Sequence, residues 1–520
     1  MVAGGTLLSR VTGLFRDTLI AHTLGGGAAG AAADAFAVAF RVPNLLREVV
    51  GEGALTSAFL PAYAGRAASG DRDGARRLFR TVLTLLVLGL SALSAAAVAF
   101  LLLVPAEWFR PEDAAKTRLI LDLCAWCFPY SVLVCSSAIF AAVLQAEGRF
   151  AAPALAPAAM NLAWIAATAA FLPLFPDDPA GRARAVAGSV LVGGAAQAAV
   201  ALPVLRRLGI SLVPRLDLRH PDLRLVLRRL APAVLGLAPV QANLLVNALI
   251  AEAFIAGDGA NSALYYSSRL LQLPLALVGI SVAVAGFPVF ARLAAEGRRG
   301  DLGLAVAGSL RATTFLALPA AAGLAVLALP VVTALFRHGR FAAEDAAAAA
   351  EVLRWALPGL PAYCGLQVMT RAFHSSGDTA TPVRVGAASV ALNFGLNLLL
   401  VGPMGAPGLA LSTAVTAWVN LAVLVLLARH HLRLRGLRSV AGTGLRTAGL
   451  AAVSAAAALG AAAGLARLLP GDGFAASVAV AAVGVAAGAA AFALPAFLLR
   501  SPDAAEFHAA LARRGAAATG

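Results

Sequence analysis

The sequence predicts an all-α, polytopic membrane protein with about fourteen transmembrane helices, arranged as two six-helix lobes and two extra C-terminal helices. Composition, the placement of basic residues and an internal repeat predict this class. Hydrophobic residues occupy 60% of the 520 positions and charged residues only 13%, whereas a soluble domain carries about 25% charge. A chain this apolar needs lipid as its solvent.

Twelve apolar stretches are each long enough to cross a bilayer, which takes about 20 residues. They lie at residues 79–104, 119–146, 152–174, 185–205, 231–256, 262–290, 304–330, 351–371, 383–402, 406–428, 443–468 and 473–499. Two more stretches, residues 3–24 and 32–64, are apolar but interrupted by charge. Together they give fourteen predicted spans.

The basic residues are concentrated at the ends of even-numbered spans. If the N-terminus is cytoplasmic, these ends lie in the cytoplasm, and the alternate loops are short or carry acids such as Asp177 and Asp178. Positively charged loops stay on the cytoplasmic side of a membrane. We therefore predict that both termini are cytoplasmic, and that the net charge of +15 reflects topology rather than nucleic-acid binding.

Four residues, three of them the less common Trp and Pro, recur 229 positions later in the chain: Trp126, Pro129, Gly148 and Pro153 become Trp355, Pro358, Gly377 and Pro382. An offset of six spans keeps the orientation, which predicts two parallel repeats. The predicted parts are an N-lobe at 1–207 with helices 1–6, a cytoplasmic amphipathic linker at 208–230, a C-lobe at 231–430 with helices 7–12, and helices 13–14 with a cytoplasmic tail at 431–520. Within the linker, the basic segment 215–229 is predicted to lie along the inner membrane interface.

Several charged side chains lie inside predicted spans, where each costs about 2.5–3.5 kcal/mol to insert. They are Arg10, Arg16 and Asp17 in the first span, Asp34, Arg41, Arg47 and Glu52 in the second, and Arg269 in the eighth. Some could simply pair, for example Arg16 with Asp17 and Arg47 with Glu52. Among these candidates, however, arginines outnumber carboxylates, and a surplus of guanidinium suits a phosphate or diphosphate. A drug or cation antiporter would need the opposite balance.

No metal site, cofactor or enzymatic centre is predicted. Cys124 and Cys127 have the C-x-x-C spacing but lack a second pair or a nearby histidine. A membrane phosphotransferase or glycosyltransferase would need clustered carboxylates for Mg²⁺ near the cytoplasm. The close acidic pairs, at 177–178 and 344–345, fall on the predicted outer side.

Several motifs resemble those of the MurJ (MviN) lipid II flippase family. The N-terminal ones are SRVTGLFRD at 9–17, DAF at 34–36, FRVPNLLR at 40–47 and GEGA at 51–54. The later ones are YYSSRLLQLP at 265–274, LFRHGRF at 335–341, RAFHSSGDTATP at 371–382 and PMGAPGLALS at 403–412. The resemblance covers most of residues 9–430.

The resemblance implies the fold of the multidrug/oligosaccharidyl-lipid/polysaccharide exporter superfamily, with a central cationic cavity and alternating access. It implies a transporter of the bacterial plasma (inner) membrane that flips lipid II, an undecaprenyl-diphosphate-linked disaccharide-pentapeptide. Membrane lipids and cell-wall synthesis proteins are the expected partners, and the last two helices could accept the lipid tail. A flippase for another undecaprenyl-linked glycan, such as an O-antigen or capsule unit, is the alternative.

The resemblance also carries over functional positions. They are Arg10, Arg16, Asp17, Asp34, Arg47, Glu52 and Arg269, with Arg41 and Ser9 as additional candidates. Some family members have carboxylates where this chain has Ser268 and Gln272. We therefore expect Arg269 to lack a local partner.

Overall fold

The computed structural model describes residues 2–26, 31–49, 55–109, 113–469 and 474–498, and every regular element in these ranges is helical. The first part of the chain forms α1 (Val2–Leu24), α2 (Ala32–Leu46), α3 (Thr56–Ala68), α4 (Arg72–Leu103), α5 (Ala114–Cys127), α6 (Tyr130–Ala146), α7 (Ala151–Phe171), α8 (Pro179–Arg207) and α9 (Pro221–Phe254). The rest forms α10 (Ala260–Pro274), α11 (Ser281–Ala295), α12 (Arg299–Val326), α13 (Ala328–Phe336), α14 (Ala343–Ala356), α15 (Leu360–Ser375), α16 (Ala380–Met404), α17 (Ala406–His431), α18 (Leu437–Leu468) and α19 (Phe474–Leu498). A π-helical segment, Leu275–Ile280, joins α10 to α11.

Ten helical stretches of the described chain are long and apolar enough to cross a membrane. They are Arg72–Leu103, Ala114–Ala146, Ala151–Leu174, Pro179–Arg207, Ala260–Ala295, Arg299–Val326, Ala380–Met404, Ala406–His431, Leu437–Leu468 and Phe474–Ala496. Each coincides with a predicted span, so the predicted all-α, multi-spanning class is confirmed.

The other four predicted spans are also helical where the structure describes them, but charge or a break interrupts most of them. The first is α1, which carries three charged residues in its middle, and the second begins with α2, which has Pro43 near its end. The span at 351–371 is divided by a 3₁₀ turn at Leu357–Gly359, and the span at 231–256 lies mostly in α9. The total of fourteen stays a prediction.

The internal repeat is visible in the helix boundaries. Helices α5, α6 and α7 have counterparts in α14, α15 and α16, which begin 229, 230 and 229 residues later. Both Gly148 and Gly377, which follow α6 and α15, have positive φ, at 71° and 83°. Two stretches of dissimilar sequence therefore form the same series of helices.

The chain divides into two compact units, with the boundary between Leu249 and Ile250; Gly339–Ala342 belongs to the first unit. In the first unit α7 packs on α8 and α1, α6 packs on α8, and α2 packs on α5. In the second, α18 packs on α19 and α12, and α16 packs on α17. The lobe and linker boundaries predicted from the sequence stay predictions.

Part of the predicted amphipathic linker is not helical. Residues 210–217 have no regular structure and run along α4, where the Arg80 guanidinium donates to the Val213 carbonyl at 2.7 Å. The Arg215 backbone N–H donates to the Thr84 hydroxyl at 3.0 Å. Helix α9 begins only at Pro221, a favourable first helical residue because proline has no N–H to leave unpaired.

Buried amides join α16 to α17 in the second unit. The Asn397 amide donates to Asn393 Oδ1 at 3.0 Å, and Asn393 Nδ2 lies 3.3 Å from the Ser412 hydroxyl. All three residues are fully buried. Polar side chains between membrane helices commonly hydrogen-bond to one another in this way.

Candidate functional site

Arg16, in the middle of α1, is held from three directions. Its Nη2 lies 2.7 Å from Asp17 Oδ1, and its Nη1 donates to Asn161 Oδ1 on α7 at 2.9 Å. Its guanidinium carbon also lies 4.6 Å from the ring centroid of Trp164. A guanidinium fixed by an acid, an amide and an aromatic face has a single orientation, which suits recognition of an anion.

Asn161 connects this arginine to the backbone of α1. Its amide donates to the Ser9 carbonyl at 3.0 Å and to the Thr12 hydroxyl at 3.3 Å. The two helices come close at this point because Gly13 has no side chain: a Cβ there would lie 3.3 Å from Asn161 Nδ2. The predicted residues Ser9, Arg16 and Asp17 thus belong to one hydrogen-bonded cluster.

Trp164 lies beneath the cluster, in the core of the first unit. It is fully buried and contacts Phe36 and Phe40 of α2, with ring centroids 6.4 and 5.2 Å away. These two rings pack against the ring that stacks on the Arg16 guanidinium. Rigid support of this kind limits the movement of a binding residue.

Arg10 differs from Arg16 in being exposed. Within the described part of the chain its guanidinium forms no hydrogen bond or ion pair. All five of its N–H donors are therefore available to a ligand.

Asp34 is in the first turn of α2 and is almost completely buried, with 1% of its side chain exposed. The Lys116 ammonium on α5 lies 3.5 Å from its Oδ2. Asp34 is therefore part of a buried ion pair rather than a member of the Arg16 cluster.

The remaining candidates of α2 lie further along the helix. Arg41 donates to the Leu244 carbonyl of α9 at 3.0 Å. Arg47 donates to Asn44 Oδ1 at 3.0 Å and lies 3.1 Å from Glu48 Oε1. Glu52, the predicted partner of Arg47, lies outside the described residues.

Arg269 is the predicted site residue of the second unit. Its Nη2 donates to the Tyr265 hydroxyl at 3.2 Å, and its guanidinium carbon lies 4.7 Å from the centroid of the same ring. The expectation that Arg269 lacks a local partner is therefore wrong. The partner is aromatic and one helical turn away, so a search for carboxylates misses it.

Sequence reasoning missed four residues around the site. Asn161 and Trp164 lie far from Arg16 in sequence, and no local pattern indicates the contact. Glu48 also lies in the second predicted span, so four arginines and four carboxylates occupy residues 3–64. The predicted arginine surplus therefore does not hold for the first two spans. Lys116 could have been found, because it is the single lysine of the sequence.

Comparison with known proteins agrees with this fold. Residues 20–479 match the family model described as "Lipid II flippase MurJ". The chain is similar to a Haemophilus influenzae protein named "Probable lipid II flippase MurJ", with 35% identity over 431 residues that cover 80% of this chain and 82% of that protein. It is also 33% identical, over 84% of its own length and 83% of the relative, to "Lipid II flippase MurJ" of Burkholderia cenocepacia.

Solved structures share the fold at lower identity. A structure described as "Lipid II flippase MurJ, inward closed conformation" matches with a TM-score of 0.75 at 20% identity, over 94% of this chain and 98% of the other. An inward-facing multidrug resistance MATE transporter of the MOP superfamily matches with a TM-score of 0.68 at 16% identity, over 82% and 94%. The chain therefore shares the helical arrangement of these two structures.

Proposed function

The chain belongs to the lipid II flippase MurJ family, and from this membership we propose that it flips lipid II from the inner to the outer leaflet of the bacterial plasma membrane. The cargo is a disaccharide-pentapeptide on undecaprenyl diphosphate, and translocation proceeds by alternating access. Both termini are cytoplasmic in this proposal. The protein moves its cargo without changing it chemically, in contact with membrane lipids and with cell-wall synthesis proteins as candidate partners.

The observation that carries the proposal is the pair of unlike arginines on α1. Arg16 is fixed by Asp17, Asn161 and Trp164, whereas Arg10 is exposed and keeps its donors available within the described chain. An anchored guanidinium supplies orientation and an exposed one supplies new hydrogen bonds. A diphosphate offers oxygens to both, and charge-assisted bonds of this kind are about twice as strong as neutral ones.

Charge balance limits how the anion is bound. Arg16 and Arg47 already have carboxylates beside them, so their positive charge is largely compensated. Arg10 forms no ion pair among the described residues, and Arg269 stacks on Tyr265. We therefore assign most of the attraction for the diphosphate to Arg10, and the orientation of the bound group to Arg16.

Complementation of a flippase-depleted strain tests this function. The unaltered chain should restore growth and lipid II translocation, while R10A, R47A and R269A should each abolish rescue although the protein still inserts. The matched control is R298A, since Arg298 is an exposed arginine that pairs with Glu296 and Asp301 outside the predicted spans. Failure of the unaltered chain to rescue, or normal rescue by all three site variants, would contradict the proposal.

A further inference from the structure

Lys116 is the only lysine in a chain with 41 basic residues, so arginine supplies the cation everywhere else. It is also nearly inaccessible: 4% of its side chain is exposed. Lysine is among the residues least often buried unless it is paired. A single lysine placed in the interior therefore needs an explanation.

The ammonium lies 3.5 Å from Asp34 Oδ2, and the pair joins the beginning of α5 to the beginning of α2. Asp34 is in the first turn of α2, where the helix dipole favours a negative charge. Lys116 is in the first turn of α5, where the same dipole disfavours a positive charge. The carboxylate of Asp34 offsets that disadvantage.

Stability alone does not account for the pair. Replacing a buried ion pair with apolar residues of similar size often leaves a protein as stable or more stable, whereas removing one partner is strongly destabilising. A position that only had to be filled would be served by leucine or methionine.

The repeat provides a second, independent observation. The residue 229 positions after Lys116 is Asp345, in the corresponding place on α14, and it too is buried, with 4% exposed. Helix α14 packs on α10 as α5 packs on α2. The first unit thus buries a positive charge at the third residue of α5, and the second unit buries a negative charge at the third residue of α14.

We propose that Lys116 is a positioning residue for transport, which holds the Asp34 carboxylate in place without itself touching the cargo. This inference rests on the proposed flippase function and deepens it. The small ammonium is used because an arginine would bring a larger planar head with a fixed fork of donors into a closed site. Asp34, placed in this way, keeps a fixed position in the unit that contains Arg10 and Arg16.

The single lysine allows a direct test of the geometry in the full-length protein. Lys116 and the N-terminal amine are the only primary amines of the chain, so an amine-reactive ester followed by peptide mass spectrometry reports on this residue alone. The matched reference is R118K, because Arg118 is exposed and two residues further along α5. We expect Lys116 to react at least about tenfold more slowly than the amine introduced by R118K, since a buried group reacts only when the structure opens locally. In D34N, Lys116 should react faster with the ester. In the R118K protein, which has no other change, equal labelling rates for Lys116 and for the amine at position 118 would refute the buried ion pair.

Transport by a set of variants tests the role. K116M should reduce lipid II flipping at least about tenfold, equivalent to 1.4 kcal/mol or more, whereas R118K should flip normally. The double variant D34N/K116M removes both charges, so it should recover the unfolding temperature that K116M loses and still fail to flip. K116R keeps the charge but should flip less than the unaltered protein.

Two outcomes would overturn the inference. Normal flipping by K116M, or by the double variant together with recovered stability, would show that the pair only supports the fold. A chain that does not flip lipid II at all would instead refute the proposed function, and the transport role of Lys116 with it. Flipping by the unaltered chain distinguishes these cases, and the labelling rates report on the ion pair whether or not transport occurs.

Discussion

Replacing Asn161 with leucine should weaken the packing of α1 on α7 and release Arg16. The side chain is 5% exposed and makes two bonds that matter, one accepted from Arg16 at 2.9 Å and one donated to the Ser9 carbonyl at 3.0 Å. Hydrogen bonds between membrane helices contribute about 0.6 kcal/mol on average and up to about 1.7, and bonds to charged groups lie at the upper end. The expected loss is therefore about 1–3 kcal/mol of unfolding free energy.

Equilibrium unfolding in mixed detergent micelles, followed by circular dichroism, measures this loss. The control is T12V, which removes the weaker 3.3 Å contact to Asn161 and leaves the two other bonds in place. It should cost less than about 1 kcal/mol. The flipping rate of N161L should fall by more than its folded fraction does, because Arg16 loses its fixed orientation. Unfolding free energies of N161L and T12V that agree within error would refute the assignment of Asn161 as the anchor.

Two further predictions concern the fold outside the site. G408A should destabilise the contact of α17 with α16 by about 1–3 kcal/mol, because an added Cβ would overlap the Leu400 carbonyl. The control is G402A, which has open space around the added Cβ and should unfold like the unaltered protein in the same assay. Asp71 accepts a bond from the Gly74 backbone N–H at the start of α4, and this bond holds the pKa of its carboxyl below the usual 3.8. A depressed pKa gives stability that is complete above the pKa of the unfolded state and is lost as the pH falls through the pKa of the folded state. The stability difference between the unaltered protein and D71N should therefore be constant from pH 6 to 5 and shrink below about pH 4. A stability difference that grows on acidification would contradict the role of Asp71 as the helix cap.

The sequence predicts the helices well because lipid imposes a simple rule on them. A span needs about 20 apolar residues, and every apolar stretch of that length proved helical where the structure describes it. The interruptions were harder to foresee. The segment at 210–217 is held along α4 by contacts with Arg80 and Thr84, and composition does not contain that information. The 3₁₀ turn at Leu357–Gly359 contains Pro358, whereas the apolar pattern there predicts one uninterrupted span.

The candidate site, too, could be predicted from the sequence only in part. Charges at membrane depth stand out in an apolar sequence, so Arg16 and Asp34 were identified without a structure. Their partners on other helices were not, because Asn161 and Trp164 are ordinary residues in a predicted span. Only their distances to the arginine reveal a role.

The two glycines that follow α6 and α15 show which part of a duplicated gene survives divergence. Gly148 and Gly377 both adopt positive φ, a conformation that side chains with a Cβ rarely tolerate. A side chain with a Cβ at either turn would therefore strain the backbone, although most of the surrounding residues differ between the two copies. The repeat is preserved in the backbone geometry of these two turns. Searches for ancient duplications in other membrane transporters should accordingly give most weight to glycine and proline at the ends of helices.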